Sequence, residues 1–219
     1  MYWGLALSGG GVKGTAHVGA LMALEKAGLT PSMISGASAG AIVAGLYASG
    51  MSAVALAETL KDVQRVGGGW LDYDWPGMLK AGLQLMTHRP VTLSGLIKGD
   101  RLSKYLALQT RGITLTEARL PVCLTAVDIN NARLMLFASK NIPCEPASTR
   151  VVTELPLYQG ICASIAMPVI FQPRMAAGTR LVDGGVWENI PNIPSLRYGR
   201  DPRYSHQCRL CGSTRASGG

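Results

Sequence analysis

Residues 27–57 read AGLTPSMISGASAGAIVAGLYASGMSAVALA and contain no charged side chain. A run of that length could cross a bilayer. Its punctuation argues otherwise: Pro31, Gly36, Gly40, Gly45 and Gly50 interrupt it, with five serines and a threonine among the apolar residues. Glycine and proline are tolerated in membrane helices, but here they fall where soluble elements start and stop. The stretch predicts a short strand at Met33 and Ile34, a sharp turn over Gly36-Ala37-Ser38-Ala39-Gly40, and a buried helix to Ser49 stopped by Gly50. Strand, turn and apolar helix in that order belong to a layered α/β domain.

The pattern continues on both sides. Upstream, residues 3–8 (WGLALS) read as a buried strand running into three glycines, and Thr15 to Lys26 as a helix apolar nearly all round, capped by Gly28. Such a helix is expected in the interior. Downstream, Ser52 N-caps a helix to about Arg65. Residues 67–99, rich in Gly and Trp, interrupt the alternation, and a helix near 100–110 follows with Asp100 in its first turn. Strands near 121–127 and 133–138 pair through the turn from Asp128 to Ala132. A helix around 156–166 leads to strands near 169–172 and 179–182, then to Asp183-Gly184-Gly185. Short strands alternating with buried helices predict a three-layer α/β/α domain with a largely parallel central sheet. No internal repeat is visible.

Composition agrees. A chain of 219 residues with 47% apolar and 16% charged residues and a mean hydropathy of +0.20 is neither disordered nor a coiled coil. The net charge of +8 divides evenly, because residues 191–219 hold five arginines and one aspartate and so carry +4 alone. A dispersed +4 over the rest is no nucleic-acid footprint, while the basic tail could touch an anionic surface. Five cysteines, an odd number, and a start at Met1-Tyr2-Trp3 running into an apolar strand fit a reducing cytoplasm without a signal peptide. Cys123 and Cys162 sit in apolar runs and read as core residues. His206, Cys208 and Cys211 offer three metal ligands without a fourth, so no metal is expected.

Three stretches could do chemistry. Gly9-Gly10-Gly11-Val12-Lys13-Gly14 lies between a strand and a helix. A dinucleotide loop would need an acid about 20 residues on, and residues 27–57 have none. A phosphate loop would need its lysine after the last glycine. A set of backbone N–H groups for an anion or oxyanion remains, beside a plain tight turn. Gly36-Ala37-Ser38-Ala39-Gly40 has the form of a nucleophile elbow, with the Ala39 N–H at a helix start able to join an oxyanion site. A serine needs a base. His17 lies in the first helix and reads as a packing residue, His88 in a loop, and His206 in the Arg-rich tail. Asp183, at the end of an apolar strand and followed by two glycines, is the remaining candidate if burial raises its pKa; a solvated turn aspartate is the other reading.

Together these residues resemble the patatin-like phospholipases. The glycine loop from Gly9 to Gly14, the serine motif from Gly36 to Gly40 and Asp183 to Gly185 match in order. Thr125-Ala126-Val127-Asp128 and Ala163 to Pro168 leading to Phe171-Gln172-Pro173 match as well. The resemblance implies a Ser38–Asp183 dyad without a catalytic histidine. It implies an oxyanion hole from Gly9, Gly10 and Gly11, with Gly10 and Gly11 as donors and Gly9 shaping the loop. It implies a lipid or ester substrate, an acyl-enzyme, peripheral membrane contact, and no cofactor or metal. It covers residues 4 to about 191, giving a catalytic domain over 1–191 and an atypical Arg-rich tail over 192–219. After Pro191 the family's further helix and strand have no counterpart, which reads as a truncated, frame-shifted or divergent end. A catalytically impaired lipid-binding or regulatory module of the same fold is the alternative, and a nucleotide-binding protein would explain the glycine loop alone. In residues 77–86, Lys80 and Gln84 share one helical stripe while Met78, Leu79, Leu83, Leu85 and Met86 lie elsewhere. With Trp70, Trp75 and Met78 nearby, that pattern fits a lipid-facing lid or acyl-pocket wall and an ordinary buried helix equally.

Overall fold

The computed structural model describes residues 3–66, 72–87, 95–140, 148–187 and 189–191. Trp70, His88, Cys144 and the whole tail with His206, Cys208 and Cys211 lie outside the described residues. The chain opens with β1 (Gly4–Leu7), α1 (Thr15–Lys26), β2 (Met33–Gly36), α2 (Ala39–Ala48) and α3 (Ala53–Val66). Two helices follow, α4 (Trp75–Met86) and α5 (Asp100–Gln109). Then come β3 (Val122–Asp128), β4 (Arg133–Ala138), β5 (Thr149–Val152), α6 (Leu157–Ser164), β6 (Arg174–Ala176) and β7 (Thr179–Asp183). Among the described residues no helix is long and apolar enough to cross a membrane. The uncharged run resolves into β2, α2 and the start of α3, with Ser52 Oγ accepting from Ala55 N at 3.2 Å as the N-cap.

The sheet runs β1-β2-β3-β4-β5. Its pairs are parallel except for the β3–β4 hairpin. The layered α/β/α class with a largely parallel central sheet is therefore as read. β6 and β7 are added antiparallel, with β7 on β3. One edge of β3 is shared by two strands. β2 pairs with Val122–Leu124 in the same direction, and β7 pairs with residues 126–128 in the opposite direction. Their C-terminal ends converge on Thr125.

Alternation along the strands makes two apolar faces. Val122, Leu124 and Ala126 of β3 and Met135 and Phe137 of β4 pack with α2 and α6 in the main core. Cys123, Leu134, Leu136 and Ala138 face the other way with Met33. On that face Ser35 Oγ donates to the Pro191 carbonyl at 2.7 Å, holding the chain that follows β7 against the sheet. Cys123 and Cys162 are buried in these two cores.

Two expectations are corrected. In α1 only Val18 and Leu21 are buried, while Ala16, Gly19, Ala20, Met22 and Ala23 face outward. The helix packs through one side against α2 and α3 and follows the edge strand β1, and most of its surface is exposed. Residues 169–172 form no strand. Pro168 and Pro173 bracket them, Val169 takes a φ of 72°, and the ladder reduces to a bridge between Phe171 and Ile97.

Candidate active site

Ser38 stands between β2 and α2 with φ 52° and ψ −124°, a backbone position that costs a non-glycine residue energy. Its surroundings hold it there. Its N–H donates to Ser164 Oγ at 3.0 Å, and its carbonyl accepts the first helical bond from Ala41 at 2.9 Å. Ala37 N–H donates to the Leu7 carbonyl at 3.1 Å, fixing the elbow to β1. The flanking glycines are there for space: a Cβ on Gly36 would fall on the Gly40 carbonyl, and one on Gly40 would fall on the Leu7 carbonyl.

The convergence of β2 and β7 brings Ser38 to Asp183. Ser38 Oγ donates to Asp183 Oδ2 at 2.6 Å, and the other carboxylate oxygen accepts the Gly185 N–H at 2.7 Å. Both residues are buried, at 7% and 3% exposure. Burial pushes the Asp183 carboxyl above the usual aspartate value, and the hydrogen bonds from Ser38 and Gly185 offset only part of the rise. A raised pKa makes the carboxylate a better base.

The glycine loop closes over this pair. Gly9, Gly10 and Gly11 line a cavity of about 280 Å³ with Ser38 and Asp183, and Met167 and Val186 give it an apolar side. The Gly9 N–H is occupied, donating to the Asn189 carbonyl at 3.0 Å, so Gly9 shapes the loop and Gly10 and Gly11 are left as its oxyanion-donor candidates. A Cβ on Gly9 would lie 2.5 Å from Asn189 Oδ1 and 3.1 Å from Ser38 Cβ. His17, the one histidine among the described residues, has its Nε2 2.9 Å from the Ser8 carbonyl. Among the described residues no cluster of His, Cys, Asp and Glu could hold a metal.

Three residues of the site carried no individual role in the sequence. Ser164 belongs to a matched motif, but its bond to Ser38 joins positions 126 residues apart. Asn189 fixes Gly9. Thr125 lies fully buried beneath the strand junction, packed against Gly184, and its hydroxyl has no hydrogen-bond partner among the described residues.

Fold and elbow place the chain among layered α/β proteins that present a serine on a strand-to-helix turn. Residues 5–193 match the family model Patatin-like phospholipase, and the chain belongs to that family. The uncharacterized protein YqhO of Bacillus subtilis (strain 168) is 30% identical over 200 residues, covering 87% of this chain and 66% of that protein. An uncharacterized NTE family protein of Mycobacterium tuberculosis (strain ATCC 25618 / H37Rv) is 26% identical over 191 residues, covering 87% of this chain and 44% of that one. The chain thus spans less than the full length of the relatives it matches. Lysophospholipase nte1 of Emericella nidulans is 40% identical over 79 residues, 34% of this chain and 5% of that protein. The crystal structure of VipD from Legionella pneumophila superposes with a TM-score of 0.54 at 18% identity, covering 87% of this chain and 47% of that chain, which shows the fold alone.

Proposed function

We propose that this domain is a serine acyl hydrolase that cleaves carboxylic esters of lipids through Ser38 and Asp183. The observation that carries the reading is the 2.6 Å hydrogen bond from Ser38 Oγ to Asp183 Oδ2 beneath the glycine loop. Family membership and a lysophospholipase among the similar proteins support a lipid ester as substrate.

In the proposed cycle Asp183 takes the Ser38 proton as Oγ attacks the ester carbonyl, and the N–H groups of Gly10 and Gly11 receive the oxyanion. The tetrahedral intermediate collapses by breaking the bond to the alcohol oxygen, which takes the proton from Asp183. A water then gives its proton to Asp183 and adds to the acyl-enzyme. The second collapse frees the fatty acid and returns the proton to Ser38. Every step uses one carboxylate as base and then as acid, so no histidine is needed.

Intact-mass labelling with a fluorophosphonate tests the reading on wild type, Ser38→Ala and Asp183→Asn. One adduct on wild type, absent from Ser38→Ala and slowed at least 100-fold in Asp183→Asn, is expected. No adduct on folded wild-type protein would overturn it and favour a lipid-binding module without turnover.

A further inference from the structure

Helix α4 is built inside out. Trp75, Leu79, Leu83 and Met86 are 67%, 78%, 62% and 82% exposed. At about 100° per residue they fall within roughly 80° of one another around the helix axis, a single apolar stripe in solvent. Met78, Ala81 and the polar Gln84 take the half-buried side instead. Lone exposed apolar residues are ordinary, but a contiguous exposed row marks a binding surface.

Charge and position decide what the row binds. From Trp75 to Gly99 the sequence holds Lys80, Arg89 and Lys98 and no carboxylate, with Lys98 paired to Asp74 at 3.9 Å, against a chain total of +8. Lys80 is exposed on α4 itself, next to Leu79. Aromatic and aliphatic residues on one face with basic residues beside them are the pattern of helices that lie in a lipid interface. The start of α4 is also tied to the rim of the Ser38 cavity. Asp74 N–H donates to the Leu96 carbonyl at 2.8 Å, and Leu96 N–H donates to the Val169 carbonyl at 3.1 Å. Gln172 Nε2 donates to Asp74 Oδ2 at 2.8 Å. Two strand-like spacings, about 10 Å, separate Asp74 from Val169. That residue is 71% exposed and lies two positions beyond Met167 in the cavity wall.

We infer that α4 is an interfacial anchor: the Trp75–Leu79–Leu83–Met86 stripe lies in an anionic lipid surface, with Lys80 among the head groups, next to the Ser38 cavity. The inference rests on the proposed lipid-ester substrate for the reason the anchor is there, and it is tested separately from turnover.

The full chain would be sedimented with vesicles of mixed phosphatidylglycerol and phosphatidylcholine, and with phosphatidylcholine alone. Leu79→Asp/Leu83→Asp is expected to weaken binding to the anionic vesicles at least tenfold. Fluorophosphonate labelling and hydrolysis of a short water-soluble ester should stay within twofold of wild type. Lys80→Glu, a milder change, is expected to weaken binding to the anionic vesicles only. Ser38→Ala should bind as wild type, so a protein without turnover still reports on the anchor. The inference is overturned if wild type ignores anionic vesicles, or if the double variant and Lys80→Glu both bind them normally. It is equally overturned if the double variant merely converts a dimer to a monomer on size exclusion with vesicle binding unchanged.

Discussion

Gly36 and Asp183 occupy one edge of β3 two residues apart, opposite Leu124 and Ala126. β2 reaches that edge from below and β7 from above, and about 7 Å of β3 separates the two registers. The serine two positions past Gly36 therefore meets a carboxylate at the end of an oppositely directed strand. Ladder hydrogen bonds on a strand buried along its whole length set the spacing of the two strand ends, and the elbow carries Ser38 across the remaining two residues.

The raised carboxyl of Asp183 has two measurable consequences. Activity in the proposed cycle needs the ionised form, so the acid limb of kcat/KM should lie above the ordinary aspartate value of about 3.9. Between that value and the raised one the folded protein holds more protons than the unfolded chain, so this group's contribution to stability falls as pH rises. Asp183→Asn should raise Tm at pH 7 relative to wild type, with the advantage disappearing below about pH 4. An unchanged or lowered Tm at pH 7 would contradict it.

Ser164→Ala removes the acceptor for the Ser38 N–H in a fully buried place. Leaving that donor unpaired should cost about 1–3 kcal/mol in denaturant unfolding. The elbow should also lose its fixed geometry, lowering kcat with KM little changed. Lost stability with an unaltered kcat would reduce Ser164 to a packing residue.

Gly9→Ala drives a methyl against Asn189 Oδ1 and Ser38 Cβ. Esterase activity should fall by at least tenfold while the far-ultraviolet circular dichroism is retained. Gly19→Ala is the control: nothing lies within 4 Å of its added Cβ on the outer face of α1. It should stabilise by about 0.5–1 kcal/mol without touching activity.

Thr125→Val deletes a buried hydroxyl that has no hydrogen-bond partner among the described residues and keeps the side chain's shape. The substitution should be neutral or stabilising by about 1 kcal/mol. A loss of more than about 1 kcal/mol in unfolding would show that the hydroxyl is satisfied in solution.

The elbow was legible because its glycines record close approaches of backbone to backbone, a constraint that few residue types meet. The β3–β4 hairpin was legible through Asp128, whose carboxylate accepts from Asn130 N at 2.9 Å and from Asn131 Nδ2 at 2.8 Å. Burial works against its ionised form, but these bonds and the one from Thr179 hold its pKa below the usual value. The outward face of α1 was not legible, since alanine and glycine fit core and surface equally. Nor was the direction of the α4 stripe, because periodicity fixes which residues share a face and not what that face meets. Ser164 acquires its partner only when α6 packs against α2, which no local pattern records.

Ser38 and Asp183 are separated by 145 positions, with β3 between them in sequence and alongside both in space. Closing a loop of that size costs about 4 kcal/mol of chain entropy, recovered only when β7 docks. During synthesis Ser38 leaves the ribosome 145 residues ahead of Asp183. In the proposed cycle, a nascent or partly unfolded chain without β7 carries Ser38 with no general base, so the chemistry is withheld until the sheet is whole.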